Sequence, residues 1–424
     1  MRNQFNCRYN VVLLLTFSLS ITLFSCHASK NSITTLPDNS SLSPKNKNEI
    51  FTILDIDKLK KVEKEIEKGS DVYFTSYNFL LKEANEALNE GPFSVVNKTQ
   101  TPPSGDKHDY ISIGIYWWPD PSKLDGLPWI QKDGQVNPIT SGDNLDLERK
   151  SNMIRNTYYL GLAHFFSGDK KYAEKANELL KVWFLNPETR MNPNLNYAQG
   201  VPGKADGRGI GIIEFIGITD IITTIELLEA NNSMDIVTSQ GLRVWLKEYL
   251  HWLQHSDNGI DESRAINNHG TWYDVQEVAI LLFLDRIEEA KEVLEQVKNE
   301  RIAIQIEKDG KQPLELKRTR SLHYSIYNLQ AFTYLAHFGQ KLNVDLWNFQ
   351  PTNAGGIKDA YNFLYPYAKG EKKWTFKEIS NLNEEIKSLK ELFLMATSMF
   401  NNSNYNNVEY NLKRNSNITV LTYP

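Results

Sequence analysis

Apolar positions along this chain recur mostly at three- and four-residue spacing, the period of a helix that turns one face to a core. The pattern predicts helices from Asp57 to Gly69 and from Val72 to Leu88. Two more, from Asp143 to Ser167 and from Lys170 to Leu185, are folded into an antiparallel hairpin by the turn Ser167-Gly168-Asp169. Helical spacing resumes from Ile210 to Ala230, Met234 to His255, Trp272 to Leu284, Arg286 to Arg301, Leu322 to Phe338, Gly356 to Ala368 and Asn381 to Phe400. No sustained run of short alternating strands interrupts the series. The expected fold is all-α: an (α/α)n toroid, that is, an incomplete α/α barrel of antiparallel helical hairpins.

A helical solenoid is the competing architecture. Tyr158 to Trp183 has the look of a tetratricopeptide hairpin, but no period of about 34 residues runs through the chain. Two long stretches lose periodicity altogether. Gly91 to Thr140 fills with Pro, Gly, Asp and aromatic residues, including Tyr116-Trp117-Trp118-Pro119-Asp120-Pro121, and Asn186 to Arg208 carries three prolines among asparagines. Irregular segments of that length inside a compact domain are usually functional.

The start of the chain belongs to another kind of structure. Arg2 and Arg8 precede an apolar run from Val11 to Phe24, too short to span a bilayer comfortably, and Leu23-Phe24-Ser25-Cys26 follows. Residues 1–25 read as a signal peptide of lipoprotein type and Cys26 as the lipidated first residue of the mature protein. Residues 26–49, rich in Ser, Asn, Thr, Pro and Lys, read as a flexible tether. Residues 50–424 would form the folded domain. Cys7 leaves with the leader and Cys26 carries lipid, which excludes cysteine nucleophiles, thiolate metal sites and disulfides. The expected location is the periplasm or the outer membrane. A net charge of -5 argues against a nucleic-acid partner, so any positive charge that binds an anion must be local.

Two clusters hold groups able to do chemistry. Asn267-Asn268-His269-Gly270-Thr271-Trp272-Tyr273-Asp274 sits at or just before a helix start, where an asparagine also serves as an ordinary cap. Arg318-Thr319-Arg320-Ser321-Leu322-His323-Tyr324 lies at the entry of a later helix, where a tyrosine also serves as ordinary core. Together they suit β-elimination beside a uronic acid. Removing the weakly acidic C5 proton builds negative charge on the neighbouring carboxylate, which Asn268 and Arg318 would stabilise as an electrostatic clamp. His269 and Tyr324 would supply the base and the acid. No metal and no cofactor is required.

These two segments, with Tyr116-Trp117-Trp118-Pro119-Asp120-Pro121, resemble the alginate-lyase-like polysaccharide lyases, closest to lyase families five and thirty-eight, over about Ile111 to Leu335. The resemblance implies an α/α toroid whose cleft binds a polyuronate, with Asn268 and Arg318 neutralising the carboxylate, Tyr324 as acid, and His269 or Tyr324 as base. A tyrosine can fill both roles where proton and leaving group share one side of the ring, as in mannuronate. Guluronate places them on opposite sides and would make His269 the base. Arg320 competes with Arg318 for the clamp.

Tyr116, Trp117, Trp118, Asn144, Gln199, Lys204, Arg208, Asn267, Trp272, Tyr273, Arg320 and His323 are the expected substrate contacts. For Trp117 and Trp118, anchoring of the loop is an equal alternative to stacking on a sugar. The glycines around Gly207 lack the preceding strand and the third glycine of a nucleotide loop. The expected partners are an anionic polysaccharide and, through Cys26, a membrane; the expected state is a monomer. Two other functions fit the same composition. One is an α/α-barrel glycoside hydrolase using carboxylates such as Asp206, Glu214 and Asp274; the other is a glycan-binding lipoprotein without activity.

Overall fold

Two kinds of helix alternate along the chain, one apolar on a single stripe and one apolar on nearly every side. The computed structural model describes residues 51–401, 405, 408 and 417–424. The leader over residues 1–25, Cys26 and the whole tether over residues 26–49 fall outside the described residues. The first helices are α1 (Ile56–Glu67), α2 (Asp71–Ala87), α3 (Leu147–Ser167), α4 (Lys170–Leu180) and α5 (Ile218–Ala230). Then come α6 (Ile236–His255), α7 (Asp257–Ser263), α8 (Asn268–Phe283), α9 (Ile287–Val297) and the single turns α10 (Ala303–Gln305) and α11 (Pro313–Leu316). The last are α12 (Ser321–Leu342), α13 (Ile357–Ala368), α14 (Leu382–Phe400) and α15 (Thr419–Thr422).

Helices α3, α5, α8 and α12 bury residues on almost every face, whereas α4 and α9 bury only a stripe of Ala, Leu, Val and Tyr. A helix that is apolar all round must be enclosed, and a striped one lies at the surface. The contacts agree: α3 packs on α5, α5 on α8, α8 on α12 and α12 on α14, making an inner row. Helix α4 backs α3, α9 backs α8 and α13 backs α12. This is the layered arrangement of an α/α toroid, as expected. At the hairpin between α3 and α4, Gly168 takes the left-handed conformation (φ 70°) that ends α3, a geometry glycine adopts without a Cβ penalty.

The irregular stretches carry two short sheets at one end of the helices. Strand β1 (Ile111–Ile113) runs parallel to β4 (Tyr197–Gly200), and β2 (Trp117–Trp118) runs antiparallel to β3 (Ile130–Gln131) with Trp117 opposite Gln131. Some helix limits differ from the periodicity. Gly209–Phe215 is a tight three-residue-per-turn helix that stops before Gly217, and only then does α5 begin. The segment from Asp143 to Asp146 is a turn preceding α3, because the Asp146 carboxylate accepts the Ile111 N–H and pairs with buried Lys98 instead of extending the helix.

Candidate active site

The site is built around the first turn of α8. Asn267 is extended (φ -130°, ψ -164°) and its side chain accepts the His269 N–H at 3.3 Å, so it caps the helix. The cap delivers Asn268 and His269 into the first turn on different sides. Asn268 is fully enclosed: its N–H and its Nδ2 donate to the two oxygens of Glu315 at 2.8 and 2.7 Å. A carboxylate at a helix N-terminus meets unpaired amides and the positive end of the dipole. Burial pushes the Glu315 carboxyl up, against the Asn268 hydrogen bonds and the charges of Arg318 and His269. Gly270 is required here, because a Cβ would lie 2.0 Å from the Ala265 carbonyl oxygen.

His269 points the other way. Its Nδ1 lies 2.7 Å from Oε1 of Glu262 on α7, a carboxylate only 1% exposed, while the imidazole is 18% exposed. A carboxylate accepts only, so Nδ1 carries a proton, and in the neutral ring the lone pair is on Nε2.

The second half of the site forms at the turn from α11 into α12. The Arg318 guanidinium lies 3.7 Å from the centre of the Tyr324 ring, and its Nε and Nη2 donate to Asp133 Oδ1 at 3.0 and 2.6 Å. The other Asp133 oxygen accepts the Thr319 N–H and hydroxyl. Burial lifts the Asp133 carboxyl, but Arg318 and Thr319 outweigh it and hold the group down at about 2. The Tyr324 hydroxyl shares a hydrogen bond with Tyr116 at 2.9 Å. Burial and the neighbouring Tyr116 push the Tyr324 phenol up, while Arg318 pulls it down. Next to this pair, Arg320 and His323 both bind Glu385, at 3.3 and 3.2 Å. The His323 ring stands edge-on to Tyr324 and stacks on Tyr327.

The loops bring the remaining expected residues to this end with mixed results. Tyr116 reaches the cluster through its hydroxyl. Arg208 donates to the Gln199 carbonyl at 2.8 Å, and Gln199 takes a left-handed backbone (φ 48°) with its N–H on Ser112. Lys204 and Arg208 lie 4.9 and 5.3 Å from the Trp117 ring, which is 9% exposed. Trp117 is therefore an anchor of the loop and offers no open face for a sugar. Trp118 is half-buried, its indole donating to the Gln135 carbonyl with Lys132 over the ring.

Two expected contacts, Trp272 and Tyr273, are corrected. Trp272 is 3% exposed and packs between Tyr327 and Tyr334 inside the helical layer. Tyr273 is 5% exposed and donates its hydroxyl to the Leu253 carbonyl. Both lie on a helix buried all round, so neither stacks on a substrate. Asn144 sits in the turn before α3 with its carbonyl on the Gln100 N–H. Two of the three carboxylates suited to a hydrolase are committed elsewhere. Asp274 is held by Arg301 at 2.8 and 3.0 Å, and the Glu214 carboxylate accepts from Tyr110 and Ser112.

Sequence reasoning missed the four acids that hold the site: Glu262, Glu315, Asp133 and Glu385. Each is far along the chain from at least one side chain it binds or is buried by the fold, and no local spacing marks it.

The alginate lyase family model matches residues 94–374, which include both clusters and the aromatic loop. A crystal structure of an alginate lyase from Bacteroides ovatus is 36% identical and aligns with a TM-score of 0.83, over 89% of this chain and 99% of that one. Alginate lyase A1-III from Sphingomonas species A1 is 15% identical with a TM-score of 0.51, over 92% of this chain and 99% of that one. A variant of A1-III complexed with a tetrasaccharide is 14% identical with a TM-score of 0.54 over the same shares. At those identities the A1-III structures speak for the fold alone. No curated protein matches the chain. With the family model matched over residues 94–374 and a 36% identical structure aligned over 89% of its length, the chain is a member of the alginate lyase family, a polysaccharide lyase.

Proposed function

We propose that this lyase cleaves a 1,4-linked polyuronate, alginate in the first place, by β-elimination, leaving a 4,5-unsaturated uronate end. The observation that carries the reading is the Arg318–Tyr324–Tyr116 stack, opposite in role to a histidine whose Nε2 is free to accept. Burial keeps the Tyr324 phenol protonated at neutral pH, which suits an acid that hands its proton to the departing O4. His269 Nε2 is the group ready to take the C5 proton. Arg318 supplies fixed positive charge where the carboxylate becomes dianionic, with Arg320 beside it. Asn268 is enclosed in the free protein and one of its two amide hydrogens is on Glu315.

Tyr324 as both base and acid remains the scheme for mannuronate, where proton and leaving oxygen share one side. His269 as base and Tyr324 as acid is the scheme for guluronate. The test is the ultraviolet absorbance of the unsaturated product on polymannuronate, polyguluronate and glucuronan, with wild type and Tyr324→Phe. A rise on one polymer that vanishes in Tyr324→Phe supports the reading. Chain shortening without absorbance would replace it with hydrolysis.

The N-terminal reading adds a location. Leu23-Phe24-Ser25-Cys26 supports a lipid on Cys26 and a periplasmic or outer-membrane enzyme, acting as a monomer at the end of a tether. Release of Cys26→Ser from the membrane fraction, with light scattering of the soluble form, tests both points.

A further inference from the structure

We propose that Glu262 is the positioning residue of the reaction, fixing the tautomer and orientation of His269 so that Nε2 acts as the base; this rests on the elimination chemistry proposed above. Glu262 stands in the framework of the fold, not on a loop. It lies on α7, a two-turn helix between α6 and α8, and α7 is packed against both. Arg301 draws these elements together, donating to the Ser263 carbonyl at the end of α7 and to Asp274 on α8. The distance between Glu262 and His269 is therefore set by helix packing and not by a flexible loop.

The partners of Glu262 are few. Oε1 binds the His269 Nδ1 at 2.7 Å, and Oε2 is buried with no protein donor. No lysine or arginine forms an ion pair with it among the described residues. Arg208 is close enough for its charge to act on Glu262, and it acts on Glu214 as well. Tyr249, Tyr273 and Tyr327 surround the carboxylate closely enough to feel its charge. An acid buried among tyrosines for stability alone would be expected to find a cation or more donors, since an unpaired buried charge is costly. Its one strong partner is the imidazole.

That partner gains two things. The Nδ1 proton is pinned to Glu262, so the lone pair stays on Nε2. When Nε2 takes a proton, the imidazolium forms beside a fixed negative charge in a site of low dielectric. The other charges near His269 are Glu315, beneath it on α11, and, through Glu315, Arg318. Glu315 is already bound twice by Asn268. Glu262 is thus the acid left to answer the protonation of His269. The proton moves from C5 to Nε2, the C5–H electron pair forms the C4–C5 double bond, and the C4–O bond breaks as Tyr324 protonates the leaving oxygen.

The experiment compares wild type, Glu262→Gln, His269→Ala and the double variant on polyguluronate, the polymer on which His269 is the base; a wild type that cleaves only polymannuronate or glucuronan would overturn the inference. Glutamine keeps the shape, loses the charge and can donate to Nδ1, which would move the imidazole proton to Nε2. The expected result is a kcat lower by roughly 10²-fold with KM little changed. The rate should begin to fall at a lower pH on the acid side, and Glu262→Gln should add nothing in the His269→Ala background. Thermal melting of Glu262→Gln close to that of wild type would separate this from misfolding. Wild-type rates and an unmoved pH profile in Glu262→Gln would overturn the inference while the lyase reading stands. So would losses that add fully to those of His269→Ala. Absence of unsaturated product from the wild type on all three polymers would instead remove the functional reading itself.

Discussion

The hydroxyls of Tyr116 and Tyr324 lie 2.9 Å apart, joining an aromatic loop to a helix 208 residues later in the chain. One phenol must donate and the other accept. If Tyr324 is to protonate a leaving oxygen, Tyr116 is the donor, leaving the Tyr324 proton directed at substrate and the Tyr324 oxygen stabilised once that proton has gone. A neutral hydrogen bond contributes about 1 kcal/mol net. Tyr116→Phe is therefore expected to lower kcat by roughly fivefold to tenfold with melting unchanged, against near-complete loss in Tyr324→Phe. Equal losses in both variants, measured by product absorbance, would make Tyr116 a proton-transfer group in its own right.

Arg318 is held from two sides, by Asp133 at its edge and by the Tyr324 ring at its face. A planar guanidinium can do both at once and an ammonium cannot. Arg318→Lys, which preserves charge, should lower kcat/KM by more than about tenfold. Asp133→Asn should lower it less, because Arg318 keeps its place on the ring while the loop bearing Tyr116 loosens. A lysine variant with wild-type kcat/KM would show that charge alone is used and would shift the clamp to Arg320.

Much of the fold could be read from periodicity because most helices here bury one stripe, and a stripe is what spacing reports. The same reasoning failed at Trp272 and Tyr273 for a definite reason. Helix α8 is buried on every side, so no periodicity distinguishes its cleft end from its core, and two aromatics next to His269 look like substrate contacts. The clusters around His269 and Tyr324 were legible because unusual polar groups stand at helix entries. The acids that hold them were not. Glu262 and Glu315 lie on helices of two turns or fewer, too short for a pattern, and their burial is created by α6, α8 and α12. Asp133 meets Arg318 across 185 residues, a pairing that only the folded chain reveals.

The placement of the two tryptophans makes a direct comparison. Trp272 fills a space between Tyr327 and Tyr334, so Trp272→Ala should cost about 3 to 5 kcal/mol of stability, the range for removing a large aromatic from a core. Trp118 is half-buried at the loop surface, and Trp118→Ala should leave stability within about 1 kcal/mol. Chemical denaturation of both variants gives the comparison. If Trp118 stacks on a sugar, its removal raises KM with kcat retained; if it only anchors the loop, KM stays as in wild type. A Trp272 variant as stable as wild type would contradict its assignment to the core.

Acid should weaken the fold through the two carboxylates that hold the Tyr324 side of the site. Burial raises the Glu385 carboxyl, but hydrogen bonds from His323 and Ser380, with Arg320, overcome it and bring the group down to about 2. Asp133 is held down to about 2 by Arg318 and Thr319. In the unfolded chain both acids return to ordinary values of about 4. A carboxyl depressed by folding contributes stability above its unfolded pKa, and that contribution is lost as pH falls through the unfolded value toward the folded one. The window for both acids therefore runs from about pH 5 down to about pH 2. Partial solvent exposure screens these interactions, so each is worth less than its shift suggests. The expected outcome is a melting temperature that falls across this window in wild type, and a smaller fall in Glu385→Gln and Asp133→Asn, whose melting is lower at neutral pH and approaches that of wild type in acid. Variants that track wild type at a constant offset throughout the titration would show that these carboxylates do not govern the acid limb.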